Sequence, residues 1–164
     1  MFSFSVRFNL DPVGLYSEAE LWNVLESINL RDHIMSLPGK LDELVAEGGD
    51  NFSAGQRQLI CIARAILRRP KVLVLDEATA SIDNDTDAVV QRVVREQFQQ
   101  CTVLTIAHRL HTIIDSDTII ILQDGVLAEM GKPADLLSKE SGVFRSLWEK
   151  HQSSHNTATA QGTT

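Results

Sequence analysis

Val72-Leu73-Val74-Leu75-Asp76-Glu77 is the stretch on which the fold turns. Four apolar residues run without alternation and end on two carboxylates. A strand with one wet face alternates polar and apolar, whereas an unbroken run suits a parallel-sheet strand covered on both faces by helices. Just upstream, a helical pattern with Leu59, Ile62, Ala63, Ile66 and Leu67 on its inward stripe runs to Arg69, where Pro70 stops it. Just downstream, Asn84 to Gln99 reads as a helix, with Val89, Val90, Val93, Val94 and Phe98 turned inward. Thr102-Val103-Leu104-Thr105-Ile106 then repeats the buried-strand pattern. Helix, strand, helix, strand in alternation predicts an α/β fold with a mostly parallel sheet.

Further out, Thr118 to Leu122 reads as a third buried strand, and Asp124-Gly125 as a hairpin turn into Val126–Met130. Two short helices follow, over about 133–138 and 142–150. From His151 the chain is rich in Ser, Thr, Gln, Asn and Gly, a composition expected to be disordered. Toward the start, residues 2–16 read as irregular and end in turn chemistry. Ser17 and Glu20 then form a capping box ahead of Leu21, Val24, Leu25 and Ile28. A short helix over 31–36 stops at Pro38-Gly39.

The chain has 164 residues, 43% of them hydrophobic and 23% charged, an ordinary globular composition of about one domain. Its net charge of -7 argues against a binder of the nucleic-acid backbone. No apolar run reaches the ~20 residues that span a bilayer. Neither cysteine, Cys61 or Cys101, has a Cys or His at metal-ligand spacing, so both are expected to be small buried side chains.

In open α/β sheets ligands bind beyond the carboxyl ends of the strands. Asp76 and Glu77 follow the first strand, and His108 follows the second, so all three are expected at one sheet edge. An Asp there can hold Mg²⁺, directly or through water. Glu77 can polarise an attacking water, and His108 can contact a phosphate or position that water. An ordinary solvated strand end and a surface histidine fit the same pattern. Phe52-Ser53-Ala54-Gly55-Gln56 precedes the long helix. Ser53 and Gln56 match a capping box, a plain helix start. They equally suit an anion site at the positive end of the helix dipole, with Gly55 allowing close approach.

Taken together these residues carry a signature. Phe52-Ser53-Ala54-Gly55-Gln56 resembles the LSGGQ signature of ABC ATPases, Val72 to Glu77 their Walker B strand, Ala80-Ser81-Ile82-Asp83 their D-loop and His108 their switch histidine. Order and spacing agree from about Phe2 to Trp148. The strings Arg7-Phe8-Asn9-Leu10-Asp11-Pro12 and Thr105-Ile106-Ala107-His108-Arg109-Leu110 resemble the C subfamily, the multidrug-resistance-associated exporters.

The resemblance implies a P-loop NTPase-like ABC ATPase domain, and specifically the C-terminal part of the second nucleotide-binding domain of an exporter. In that family two such domains sandwich two ATP molecules. By the match, Ser53, Ala54, Gly55 and Gln56 would serve ATP held on the partner domain, and Asp83 would communicate across the dimer. Asp76 would serve Mg²⁺, Glu77 would act as general base, and His108 would assist catalysis. The implied cofactors are ATP and Mg²⁺. The implied partners are a second nucleotide-binding domain and membrane-spanning domains at the cytosolic face of a membrane, with no nucleic acid. Organic anions or conjugates are the cargo the subfamily suggests.

Residues 1–150 are expected to form a partial ABC ATPase domain, with a helical lobe over about 15–50, core from 53 to 150, and a disordered polar tail over 151–164. No Gly-x-x-Gly-x-Gly-Lys-Ser/Thr loop occurs among the nine glycines. That loop supplies the phosphate cradle, so the chain alone is expected to be inactive. A truncated, non-catalytic product that pairs with an intact domain is the alternative. A soluble DNA-repair type fits poorly, because there is no heptad run and the charge is acidic. Asn51-Phe52-Ser53 and Asn84-Asp85-Thr86 match glycosylation sequons, expected to be chance.

Overall fold

In the computed structural model, residues 1–76, 84–106 and 109–160 are described, with backbone only at 84–85 and 154–160. The chain divides into two compact units, Met1–Ile106 and Ala107–Thr164.

The first unit is a helical lobe joined to a parallel strand pair. Helix α1 (Val6–Leu10) occupies part of the stretch read above as irregular. Ser5 starts it by accepting the Phe8 N–H, a cap hidden in the sequence by the turn residues that follow at once. Asn9 is buried on α1. Its amide donates to the carbonyls of Phe2 and Ser5 and its oxygen accepts the Phe2 N–H, so the entering chain is stitched to one side chain. Helix α2 (Glu18–Ser27) has the expected capping box between Ser17 and Glu20. Helix α3 (Arg31–Ser36) follows, and Leu21, Val24, Leu25, Ile28 and Ile34 are buried from these two segments.

Helix α4 (Ala54–Arg68) is the centre of this unit. It buries Leu59, Ile60, Ile62 and Ala63 against α1 and α2 on one side and helix α5 (Asn84–Gln97) on the other. Arg69 ends it in the left-handed region, at φ 46°. Cys61 falls between buried neighbours on the outer side of α4 and is exposed, and Cys101 is half-buried. Neither is the buried cysteine expected, because the inward stripe of α4 passes through residues 59, 60, 62 and 63 and misses 61.

Strand β1 (Val72–Asp76) pairs in parallel with β2 (Thr102–Ile106), in register from Val72↔Thr102 to Asp76↔Ile106. Leu73, Leu75 and Val103 pack on the core of the first unit. Among the described residues of the unit, none covers the opposite face. Val74 is 59% exposed and Ile106 56%, so the apolar run of β1 alternates in burial although it does not alternate in sequence.

The second unit holds helix α6 (Leu110–Ile113), strands β3 (Ile119–Gln123) and β4 (Val126–Gly131), and helices α7 (Pro133–Ser138) and α8 (Val143–Ala160). β3 pairs antiparallel with β4 across the Asp124-Gly125 turn, where both residues have positive φ. The hairpin is the one expected, but β3 is not the buried strand expected: Ile119 is buried, whereas Ile120 is 56% exposed. Ile119, Leu136 and Phe144 form the centre of this small core. Helix α8 continues to Ala160, ten residues beyond Lys150 where the polar composition suggests an end. The Ser153 hydroxyl turns back to the Glu149 carbonyl, so a residue that competes with the backbone elsewhere is accommodated inside the helix. The expected disorder at 161–164 lies outside the described residues.

Glu129 on β4 ties the hairpin to α8. Its carboxylate accepts the Phe144 N–H at 3.0 Å and lies 3.6 Å from the Lys139 ammonium. The Phe144 hydrogen bond, helped by Lys139, holds this carboxyl below the usual glutamate value of 4.5. A depressed carboxyl contributes stability that is full above its unfolded value and is lost as pH falls through its folded value. The second unit is thus expected to loosen below about pH 4.5. Near-ultraviolet dichroism of the Trp22→Phe chain, in which Trp148 is the one tryptophan, checks this during an acid titration. Glu129→Gln is expected to flatten the acid limb, and an unchanged limb would exclude Glu129 as its source.

Candidate functional site

The predicted signature loop is built by local hydrogen bonding. Gly48 and Gly49 take positive φ values of 68° and 83°, turning residues 46–52 into a tight loop. Asn51 closes it, accepting the Ala46 N–H and donating to the Leu44 carbonyl, each at 2.9 Å. With both ends of its amide engaged, Asn51 holds the loop in shape. Arg57 reaches back from α4 and donates to the carbonyls of Gly49 and Phe52, at 3.1 and 2.8 Å. Phe52 is buried beneath the loop, its ring met edge-on by His33 of α3 at 5.9 Å.

Ser53 is the N-cap of α4. Its hydroxyl accepts the Gln56 N–H at 3.1 Å and its own N–H donates to the Gln56 side chain at 2.9 Å. The plain reading of this motif, a capping box, is therefore realised. It uses the N–H groups of Ser53 and Gln56 and leaves those of Ala54 and Gly55 without an intrahelical acceptor. No acid stands in the first turn of this 15-residue helix, so its positive end is not neutralised from within that turn. The anion-site reading is compatible with that geometry.

Gly55 also allows a close approach within the unit. It is buried, and a Cβ built on it would run into Cγ2 of Thr86 on α5, with Cβ of Thr86 3.2 Å away. The glycine lets α5 approach α4 at its first turn. The sequence reading was that Gly55 allows another backbone or a phosphate to approach closely; the group that does approach is a side chain of the neighbouring helix.

Asp76 is the last residue of β1, exposed, and level with Ile106 at the end of β2. The two strands therefore end at the same edge of the parallel pair. Glu77, Asp83 and His108, the other residues expected beyond that edge, lie outside the described residues. Among the described residues no group of three His, Cys, Asp or Glu side chains forms a metal cluster. Asp76 supplies one exposed carboxylate, the donor type that Mg²⁺ takes while keeping most of its waters.

Comparison with known proteins gives the family. The family model described as "ABC transporter" matches residues 3–80. A probable multidrug resistance-associated protein of Drosophila melanogaster, lethal(2)03659, is 51% identical over 148 residues, covering 90% of this chain and 11% of the relative. ATP-binding cassette sub-family C member 2 of Rattus norvegicus is 52% identical, covering 88% of this chain and 9% of the relative. ATP-binding cassette sub-family C member 4 of Homo sapiens is 51% identical, covering 88% and 11%. Among solved structures, a bacterial Atm1-family ABC exporter with ATP bound superposes with a TM-score of 0.83 at 33% identity, covering 93% of this chain and 27% of that one. The chain thus spans about a tenth of the length of the curated relatives it matches. With its parallel strand pair, helical lobe and capped signature helix, this chain belongs to the ABC transporter family, with the likeness running to the multidrug-resistance-associated proteins of sub-family C.

Proposed function

We propose that the chain is the signature and Walker B portion of a nucleotide-binding domain, the second of its transporter, which hydrolyses ATP to drive export of organic anions or conjugates across a membrane. The observation that carries this is the N-terminus of α4: two N–H groups without an intrahelical acceptor, no acid in the first turn and a serine hydroxyl, on a loop held by Arg57. Such a terminus receives phosphate oxygens well. Ser53, Ala54, Gly55 and Gln56 would meet the triphosphate of ATP held on the partner domain. The Ser53 hydroxyl accepts from Gln56 in the capping box and still has its own proton to donate.

At the strand edge, Asp76 would hold Mg²⁺ directly or through water. Mg²⁺ when bound supplies charge neutralisation on the phosphate oxygens. Glu77 would take a proton from the attacking water, His108 would orient that water, and Asp83 would report the state of one site to the other. A second nucleotide-binding domain and membrane-spanning domains are the partners this arrangement needs, on the cytosolic side of the membrane.

In the intact transporter, Ser53→Ala is expected to lower ATP turnover about tenfold to a hundredfold by removing one donor to a developing charge. Turnover within twofold of the parent would overturn the reading. The chain by itself, which has no phosphate-cradling glycine loop in its sequence, is expected to show no Mg²⁺-dependent ATP turnover. A turnover that disappears in Glu77→Gln would refute that.

A further inference from the structure

The peptide group that joins Phe52 to Ser53 is held at both ends by side chains from the start of α4. Its carbonyl accepts from Nη1 of Arg57 at 2.8 Å, and its N–H donates to Oε1 of Gln56 at 2.9 Å. The same Nη1 donates to the Gly49 carbonyl at 3.1 Å. That carbonyl also takes the Phe52 N–H at 2.9 Å, which closes a turn over residues 49–52. A single guanidinium nitrogen thus clasps the first and last residues of the turn. The backbone N–H of Arg57 takes the Ser53 carbonyl at 3.0 Å, so the peptide groups on both sides of Ser53 are bound by Arg57.

Two further observations mark this arginine. Its stem passes over Gly49, where a Cβ would stand 2.6 Å from Cδ of Arg57, so the glycine keeps the passage open. Arg57 is also a cation near the N-terminus of α4, the end at which the helix dipole favours anions. Helix stability alone disfavours a positive charge there, and methionine or glutamine has similar propensity without it. Ser53 is exposed, so its orientation is set by its backbone and not by packing around its side chain.

We propose that Arg57 is a positioning residue for ATP hydrolysis, given the role proposed above for Ser53: it fixes the angle at which the Ser53 hydroxyl meets the triphosphate. Without the guanidinium the Phe52 carbonyl is free to turn, and the Ser53 backbone turns with it. A misplacement of about 1 Å can cost on the order of a hundredfold in rate. Arg57 has this effect without touching ATP.

ATP turnover of the intact transporter tests this in a cycle with Ser53→Ala. Arg57→Met keeps the unbranched stem beside Gly49 and the helix propensity of α4, and removes both hydrogen bonds. It is expected to lower turnover about tenfold to a hundredfold. The double variant is expected to stay within about threefold of the slower single variant, because a misplaced hydroxyl and a missing one have the same consequence. A purely structural arginine gives the opposite result, since loss of folded protein multiplies with loss of the hydroxyl. Arg57→Lys sets an ammonium one bond short of Nη1, with a donor for the Phe52 carbonyl. It is expected to recover at least about half of the loss on a logarithmic scale. Where Arg57→Met yields too little folded transporter, the cycle is read with Arg57→Lys. With Ser53→Ala slow, three results would each overturn the positioning role: effects that multiply, a lysine variant as slow as the methionine one, or Arg57→Met within about twofold of the parent. Ser53→Ala within about twofold of the parent would instead remove the role proposed for Ser53, and that of Arg57 with it.

Discussion

Glu77→Gln in the intact transporter is expected to cut ATP turnover by about 10²- to 10⁴-fold while leaving ATP bound. The amide keeps the size and most of the hydrogen bonding of the carboxylate but cannot accept a proton from water. The function proposed above gives Glu77 that task because it follows Asp76 directly, at the end of a strand whose parallel partner stops level with it. Phosphoryl transfer depends on positioning and charge more than on covalent chemistry, so losing the base slows the step without emptying the site. Phosphate release and nucleotide binding are measured side by side. A variant that turns over within twofold of the parent would remove Glu77 from the mechanism. A variant that also loses ATP would show that the residue acts in binding instead.

The second large effect is on packing. Gly55→Ala is expected to destabilise the first unit by about 1–3 kcal/mol, the range for overpacking a filled site. The sign follows from two opposed magnitudes. Alanine gains up to ~1 kcal/mol of helix propensity over glycine. Against that stands a methyl group placed where Cγ2 of Thr86 already lies, in a buried contact between α4 and α5. Thr86→Ala in the same chain opens the space and is expected to return at least about half of the loss. A double-mutant cycle by denaturant unfolding reads the coupling. Strictly additive costs would show that the two residues do not share that space.

Much of this architecture was legible from residue types. The capping boxes at Ser17 and Ser53 carry their helices as written, because a hydroxyl three residues before Glu or Gln satisfies the first-turn N–H groups locally. Strands β1 and β2 and the hairpin at Asp124-Gly125 follow from apolar runs and turn chemistry in the same way. What was not legible depends on partners distant in sequence. The exposed face of β1 cannot be inferred from Val-Leu-Val-Leu, since the run states that both faces are apolar and not what lies on them. Burial at Cys61 hinged on one position of helical phase. The clamp of Glu129 on α8 joins residues 15 apart that no pattern connects. Of the candidate site, Ser53 to Gln56 and Asp76 stand where the sequence reading put them, at a helix start and a strand end.

The pairing of β1 with β2 also sets an order of events during synthesis. Val72 meets Thr102, thirty residues downstream. At an elongation rate of about 5–20 residues per second, that partner emerges about 2–6 s after β1 does. Helices form within about a microsecond and close local contacts soon after, so α1 to α4 have time to assemble while Thr102 is still unmade. Over those seconds Val72–Asp76 is a nascent apolar strand without its neighbour, attached to α1 to α4 while α5, which completes their core, is still emerging. The lobe then serves as the template on which the second strand docks, and the interval is when a chaperone on the ribosome would find its binding segment.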